Sequence, residues 1–230
     1  TFMTVARVTT AISPSFSVAG HKIAVEPLAP GLHVVATPIG NLGDMTLRGL
    51  ATLAAADAVL AEDTRVTSTL LSHYVIATPL VAYHEHNAAR ARPGLIARLR
   101  QGATLALVSD AGTPCLSDPG ALLVDAVQAA GLAVRTLPGP FAVAVALAGS
   151  GLTPIPMTFW GFLPKRDGEL RSFLQARLLP GPDGPMTHAG YVPGRDLRDA
   201  LAAVASREER VSREAADVVA ALRGEEEAHV

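Results

Sequence analysis

The chain has 230 residues, of which 49% are hydrophobic and 17% are charged, and its formal net charge is −2. A chain of this length and apolar content buries a sizeable core, which excludes a disordered acidic protein and a globally basic nucleic-acid binder. Cys115 is the single cysteine of the sequence, which excludes an internal disulfide and a multi-cysteine zinc site. This cysteine content suits a reducing compartment, so we expect a cytoplasmic protein.

The first part of the chain, residues 1–31, holds scattered polar residues and no sustained apolar run, so we expect a loose leader without a secretory signal. From residue 32 onward, short apolar stretches alternate with helical patterns. Strands are predicted at 32–39, 58–63, 79–84, 103–110 and 132–139, and helices at 46–56, 67–74, 94–102 and 119–131. Continuous apolar strands between helices are typical of a parallel sheet covered on both faces, which predicts an α/β fold.

An uncharged stretch at 136–164 is the strongest membrane candidate of the sequence. Prolines and glycines limit its continuous part to "FAVAVALAGSGL", which is shorter than the ~20 residues that a spanning helix needs. We therefore predict a buried helix at 140–151. Beyond residue 151 the pattern of strand, basic loop, helix and strand predicts a second, smaller domain. The expected domains are an N-terminal parallel-sheet domain at 32–148 and a truncated or divergent C-terminal mixed-sheet α/β domain at 149–230.

Five polar or glycine- and proline-rich segments follow the predicted strands, where ligands bind in open parallel sheets. They are "TPIGN", "EDTR", "YHEHN", "SDAGTPCLSDPG" and "LPGPF". A single glycine in such a loop most often serves turn geometry, but Gly40, Gly112 and Gly139 share one sheet edge and so predict close approach of the backbone to a ligand. The sequence contains no phosphate-binding loop motif, and no dinucleotide-binding fingerprint follows the first strand.

Two of these loops contain candidate reactive side chains. His84 and Glu85 are predicted to serve as acid-base or hydrogen-bonding groups for a substrate, and the alternative is a solvated helix start. A metal site with His86 is not expected, because adjacent strand-end residues point in opposite directions. Cys115 is interpreted as a small filler residue, and Asp118 as a helix cap.

Six ordered segments, the first "VVATPIGNLGDMTLRGL" and the last "FWGFLPKRDGE", resemble the ribosomal small subunit methyltransferase group of the tetrapyrrole methylase superfamily. The resemblance implies two α/β domains that hold S-adenosyl-L-methionine between them, a homodimer and no metal. It also implies methylation of the 2'-hydroxyl of a cytidine in 16S ribosomal RNA. The alternatives are a tetrapyrrole C-methyltransferase and a non-catalytic relative that binds RNA or the ribosome.

The resemblance and the loop positions together give a set of predicted site residues. We expect His84 or Glu85 to orient the acceptor hydroxyl, with Glu62 and Asp63 as weaker candidates. The expected cofactor contacts are Pro38, Gly40, Asp110, Ala111, Gly112, Pro140, Phe141 and Phe162. The expected RNA contacts are Arg65, Arg90, Arg92, Lys165 and Arg166. The chain departs from the family pattern at Cys115, Phe141, Tyr191 and Gly194.

Overall fold

A computed structural model describes residues 14–116, 118–152, 155–178 and 186–192. Gly194, one of the positions at which the chain departs from the family pattern, lies outside these residues. The chain divides into two compact units, of which the first contains Thr1–Thr37 and Leu42–Gly139 and the second contains Pro38–Asn41 and Pro140–Val230. The predicted boundary at residues 148–149 stays a prediction. In the part of the chain that the structure describes, no helix has the length and apolar character needed to cross a membrane.

The first unit begins with an antiparallel hairpin of β1 (Ser15–Val18) and β2 (His21–Ala24). Its two turn residues, Ala19 and Gly20, have φ values of 49° and 80°, as the tight turns of two-residue hairpins require. The hairpin packs on the core through Phe16, whose side chain is buried. The loose leader expected at residues 1–31 did not include this hairpin.

The parallel sheet predicted from the apolar runs is confirmed. It contains β3 (Gly31–Val34), β4 (Ala58–Ala61), β5 (Leu80–Ala82), β6 (Thr104–Leu107) and β7 (Val134–Thr136) in the spatial order β5-β4-β6-β3-β7. All four strand pairs are parallel. The three central strands are fully buried, which explains why their sequences lack an alternation of polar and apolar residues.

Helices cover both faces of this sheet. They are α1 (Leu47–Ala55), α2 (Thr64–His73), α3 (Glu85–Arg100) and α4 (Gly120–Ala129). Successive strand residues point to opposite faces, so Val59 packs into the core with α1 and α2, whereas Leu60 packs into the core with α3 and α4. The resulting three layers leave the loops that follow the strands at one edge of the sheet.

The second unit contains α5 (Ala142–Ser150), β8 (Met157–Phe162), α6 (Asp167–Arg177) and β9 (Thr187–Tyr191). Strands β8 and β9 form a parallel pair, and Leu170 and Leu174 of α6 are its buried core residues. The helix predicted at 140–151 is confirmed as α5, but its predicted burial is wrong, because Val143 is the only buried residue of α5 and Val145 is 58% exposed. A helix that is apolar on all sides gave no pattern from which its exposed side could be recognised.

Candidate active site at the strand-end loops

The loops after β3 and β6 are joined by backbone hydrogen bonds. The amide of Thr37 donates to the carbonyl of Gly112 and the amide of Gly112 donates to the carbonyl of Thr37, both at 3.0 Å. The Thr37 hydroxyl donates to the Ser109 carbonyl at 2.9 Å, and the Ser109 hydroxyl donates to the Gly112 carbonyl at 3.0 Å. Gly112 has a φ of 82°, a conformation that glycine adopts without strain. These bonds fix "SDAG" against the end of the first parallel strand.

The loop after β4 is joined to the same segment. The Asp63 amide donates to Oδ1 of Asp110 at 3.0 Å, so Asp110 connects the ends of two neighbouring strands. The Asp63 carboxylate caps α2 and accepts from the Arg65 amide at 2.8 Å and from its guanidinium at 2.6 and 3.1 Å. The hydrogen bond from the Arg65 side chain is the main reason why the pKa of Asp63 is lowered to about 2. Asp63 is therefore an ionised capping residue at neutral pH and a poor proton acceptor.

A group of negative charges surrounds Glu62 at this edge. Partial burial raises the pKa of Glu62, and three carboxylates raise it further, while one imidazole opposes them. The carboxylates are Asp110, Asp118 and Glu85, and the imidazole is His84. Glu62 has no hydrogen-bond partner among the described residues. The edge therefore concentrates negative charge, and the Glu62 carboxylate is available there for a ligand.

The loop after β5 is stabilised by its own residues. The Asn87 side chain accepts from the His84 amide at 3.0 Å and donates to the Ala82 carbonyl at 2.9 Å, which starts α3 at Glu85. Within the described part of the chain, Nδ1 of His84 and the hydroxyl of Tyr83 are buried without a hydrogen-bond partner. Glu85 is exposed and lies 3.6 Å from the exposed His86. The His84 side chain also faces the Asn87 backbone in a capping-box arrangement, so its ring lies at the first turn of α3.

The remainder of the "SDAGTPCLSDPG" segment is organised by Asp118. Its carboxylate accepts from the amides of Cys115 and Gly120, both at 2.8 Å, so it bonds to the first residue of α4, although the N-cap is Pro119 and not Asp118 as predicted. Burial raises the pKa of Asp118, and these two hydrogen bonds oppose that effect. Burial, followed by the Asp118 charge, raises the pKa of the Cys115 thiol to about 11. A thiol with this pKa stays protonated at neutral pH, which agrees with the interpretation of Cys115 as a filler residue.

Gly112, Gly139 and Gly40 have different structural roles in these loops. Gly112 supplies a left-handed backbone, as described above. A Cβ on Gly139 would lie 2.7 Å from Cβ of Ala36, so this glycine permits the loop after β7 to pack on β3. Gly40 has a φ of 79° and open space around it. Each glycine therefore has a local role, and a role in ligand approach stays a prediction.

The second unit holds the other predicted site residues. The Phe159 ring contacts Phe141 edge-on at 6.1 Å and Tyr191 at 5.0 Å. Phe162 is 61% exposed, and its ring centroid lies 5.3 Å from that of Tyr191. A register shift between Phe159 and Phe162 places both rings against Tyr191, where regular alternation would separate them. Pro38, Gly40 and Pro140 also belong to this unit.

The structure therefore brings together part of the predicted site. Glu62, His84, Glu85 and Asp110 form one electrostatic group in the first unit, and Ala111 and Gly112 directly follow Asp110. The sequence analysis missed Thr37 and Ser109 as the residues that join the loops. Their signal was a polar side chain directly after a buried apolar strand. No group of three or more His, Cys, Asp or Glu side chains that could hold a metal ion occurs among the described residues.

Comparisons with known proteins show which proteins this chain is similar to in sequence. A protein named ribosomal RNA small subunit methyltransferase I from Mesorhizobium japonicum is 52% identical over 155 residues, which are 67% of this chain and 53% of that protein. A protein of the same name from Streptococcus pyogenes is 51% identical over 144 residues, or 63% of this chain and 50% of that protein. The chain thus spans about half the length of these curated relatives.

The fold is also similar to that of solved structures. A diphthine synthase is 14% identical and has a TM-score of 0.53, and the match covers 76% of this chain and 72% of that one. At this identity the likeness concerns the fold alone. The sequence profile described as Tetrapyrrole (Corrin/Porphyrin) Methylases matches residues 31–159, which include all five strands of the parallel sheet and their loops. The chain therefore belongs to the tetrapyrrole methylase family.

Proposed function

We propose that this protein is an S-adenosylmethionine-dependent methyltransferase that methylates the 2'-hydroxyl of a cytidine in 16S ribosomal RNA. The observation that carries the proposal is the identity of 50% or more to relatives whose name specifies small-subunit ribosomal RNA. Cytoplasmic location and a homodimer are part of the same proposal. The geometry of the strand-end loops supports it in the following two respects.

The residues of the edge suit a cationic methyl donor. S-adenosylmethionine supplies an electrophilic methyl group on a positively charged sulfonium sulfur. Glu62 and Asp118 have raised pKa values, and the Asp110 charge contributes to both. A positive charge placed beside these carboxylates would relieve their mutual repulsion, so the edge favours a cation over a neutral or anionic ligand. Asp110, Ala111 and Gly112 are the proposed contacts here, and Pro38, Gly40, Pro140, Phe141 and Phe162 stay predicted contacts.

The fixed loops suit the requirement of the reaction for alignment. Methyl transfer needs the acceptor oxygen in line with the bond that breaks, and good alignment contributes up to ~7–11 kcal/mol. The bonds between Thr37 and Gly112 and between Asp63 and Asp110 hold three loops in place before any ligand binds. This chain therefore bears little ordering cost at these loops when a ligand binds.

The acceptor hydroxyl needs a group that orients it and accepts its proton. We assign this role to His84, because its Nδ1 is buried and has no partner among the described residues. Glu85 is the second candidate, and its proximity to His86 at 3.6 Å leaves it less available. Asp63 is removed from consideration by its bonds to Arg65, which leave it ionised and occupied.

The test is transfer of a labelled methyl group by the full chain. The protein is incubated with methyl-labelled S-adenosylmethionine and, separately, with an unmodified small-subunit ribosomal RNA transcript, small ribosomal subunits and uroporphyrinogen III. We expect label in the RNA or the subunit, in a nucleotide that resists alkaline cleavage because its 2'-hydroxyl is methylated. Mass spectrometry of nuclease fragments then identifies the base.

Each alternative predicts a different result. Label in the tetrapyrrole with none in RNA would overturn the proposal in favour of a C-methyltransferase. Absence of heat on calorimetric titration with S-adenosylmethionine, together with no transfer to any acceptor, would favour the non-catalytic relative. Within the RNA reaction, His84→Gln should lower the transfer rate and leave donor affinity unchanged, and an unchanged rate would move the orienting role to Glu85.

A further inference from the structure

Helix α3 carries a strong positive charge that the described part of the chain does not neutralise. Its sixteen residues contain four arginines and one acidic residue, Glu85. The arginines are Arg90, Arg92, Arg98 and Arg100. None of them forms an ion pair with a described residue, whereas Arg65 pairs with Asp63 and Arg166 pairs with Glu169.

Three of these arginines lie away from the core. The buried residues of α3 are Ala88, Leu95 and Leu99. At about 100° per residue, Arg90 lies opposite this buried side, and Arg98 and Arg100 lie about 80° to either side of Arg90. Arg90 and Arg100 are exposed and Arg98 is half-buried. We call Arg90, Arg98 and Arg100 the α3 arginine face.

Arg92 differs from these three residues. Its Nε is buried and has no hydrogen-bond partner among the described residues. Its position in the helix turns it toward the buried side, about 20° from the direction of Leu99 as counted at 100° per residue. It is therefore excluded from the α3 arginine face, although the sequence analysis included it among the RNA contacts.

Helix α3 begins at the candidate active site, and Arg90, the first residue of the α3 arginine face, lies five residues after Glu85. His84 is the N-cap of α3 and Glu85 is its first residue. A helix of this length extends for about 24 Å, so its arginines lie along a path that leads away from the strand-end loops. A chain of phosphates that enters the loops at one nucleotide can follow this path with the adjoining nucleotides.

We propose that the α3 arginine face binds the backbone phosphates of the RNA that flank the methylated nucleotide. The guanidinium group binds phosphate through two parallel N–H donors, and an unpaired guanidinium can do so without first breaking an ion pair. For Arg65 and Arg166 a phosphate would have to compete with a carboxylate at 2.6 and 3.2 Å, respectively. This inference rests on the proposed function and deepens it by locating the substrate.

The chemistry of the exposed side of α3 favours RNA over two other anionic partners. Its other exposed positions include Ala89, Pro93, Gly94 and Ala97, which have small side chains. A helix that binds a membrane surface needs large apolar residues to insert, and a protein interface needs a desolvated apolar centre. Neither is present on this side of α3, whereas phosphate binding needs only charge and hydrogen-bond donors.

The test compares a variant of the whole face with a matched arginine control. The triple variant Arg90→Gln, Arg98→Gln, Arg100→Gln and the control Arg135→Gln are titrated with a fluorescent small-subunit ribosomal RNA transcript between about 50 and 200 mM salt. Arg135 is exposed and donates to the Pro30 carbonyl, apart from α3. The plot of log affinity against log salt should become shallower by about 2 in the triple variant, because each lost phosphate contact removes ~0.7 to 0.9. The control should keep the wild-type slope.

Calorimetry with S-adenosylmethionine separates this inference from the proposed function. We expect the triple variant to bind the donor with wild-type affinity, which shows that the first unit is folded. If the wild type methylates RNA and the triple variant keeps its salt slope, the inference is overturned and the proposed function stands. Wild-type protein that binds vesicles of phosphatidylserine, or an acidic protein, in preference to RNA would overturn the inference as well.

A single substitution provides the test if the triple variant does not fold. We expect Arg90→Glu, at an exposed position, to weaken RNA binding by itself, and wild-type RNA affinity of that variant would overturn the inference.

Discussion

The loops at the carboxyl edge of the sheet fall into two groups that are stabilised in different ways. The loops after β3, β4 and β6 are bonded to one another, through Thr37 and Gly112 and through Asp63 and Asp110. In the loop after β5, the Tyr83 amide donates to the Ala61 carbonyl of β4 at 2.8 Å, and the side-chain bonds beyond it are local, since Asn87 bonds to His84 and Ala82. The first group is a preformed surface, whereas from His84 onward the second forms no described hydrogen bond to the other loops, and we call it the independent loop.

This difference suggests a division of labour in the proposed reaction. The interconnected loops suit a donor that must be held in one orientation, because bonds between loops fix their relative positions. The independent loop carries His84 and leads into the α3 arginine face, so it suits the larger acceptor. The four predictions below separate donor binding from acceptor function, from the largest expected effect to the smallest.

Replacing Gly112 should have the largest effect. In Gly112→Ala the backbone of the new alanine must adopt a φ of 82°, which costs about 1–2 kcal/mol of stability. We expect this strain to shift the amide and carbonyl that bond to Thr37. We expect the affinity for S-adenosylmethionine to fall at least tenfold by calorimetry. The matched control is Gly102→Ala. Gly102 follows the end of α3, has a φ of 89° and has open space around it. Equal donor affinity in the two variants would show that the loop is not a donor surface.

Neutralising Asp110 tests the charge of the edge and keeps its geometry. In Asp110→Asn the side-chain oxygen can still accept from the Asp63 amide. We expect binding of S-adenosylmethionine to weaken about tenfold, or about 1.4 kcal/mol, and binding of the uncharged thioether S-adenosylhomocysteine to change much less. Asp125→Asn on α4 is the control, because Asp125 is not among the charges that raise the pKa of Glu62. Equal losses for the two ligands would contradict an electrostatic role.

The independent loop is tested by removing its organising side chain. Asn87→Ala loses the bonds to the His84 amide and the Ala82 carbonyl, which should cost about 1 kcal/mol in urea unfolding. We expect a several-fold loss of methyl transfer at unchanged donor affinity. Thr104→Val removes a hydroxyl that bonds to Asp57 at 2.8 Å at the start of β6. It should lose similar stability and keep the transfer rate, and the prediction fails if both variants lose transfer equally.

The sequence was informative where one segment determined its own structure. The apolar runs of β4 and β6 predicted buried parallel strands because no register or partner had to be known. The start of α3 was given only as an alternative near Asn87, since Pro93 interrupts its pattern and the His84 amide donates to the Asn87 side chain in place of a Ser, Thr or Asp cap. The bond between Asp63 and Asp110 joins residues 47 positions apart, and no local pattern encodes such a pair.

The partners of charged side chains were also difficult to predict from the sequence. Arg65 and Arg166 resembled free cations in the sequence, and their pairing with Asp63 and Glu169 became apparent only in the structure. The Arg65 pair had a signal, because an aspartate at a helix N-cap lies within reach of an arginine two residues later. The raised pKa of Glu62 had none, since Asp110 and Asp118 come from another strand-end loop.

The smallest predicted effect concerns Glu62 and the pH dependence of stability. Because burial and neighbouring carboxylates raise its pKa above the ordinary 4.5, the folded protein holds more protons at this site than the unfolded chain does over the interval between the two values. Stability is therefore lost at Glu62 as the pH rises through that interval, and ionised Glu62 remains unfavourable at neutral pH.

Glu62→Gln removes this charge, so it should raise the free energy of unfolding at pH 7 relative to wild type. The gain should disappear in urea titrations below the ordinary glutamate pKa of 4.5, where wild-type Glu62 is also neutral. It should not exceed about half a kcal/mol, because solvent screens interactions at this exposed edge. Glu26→Gln, an exposed glutamate beside the hairpin, provides the control. A variant that is less stable than wild type at pH 7 would mean that Glu62 has a favourable partner at the edge, which would weaken the case for a surface that attracts a cation.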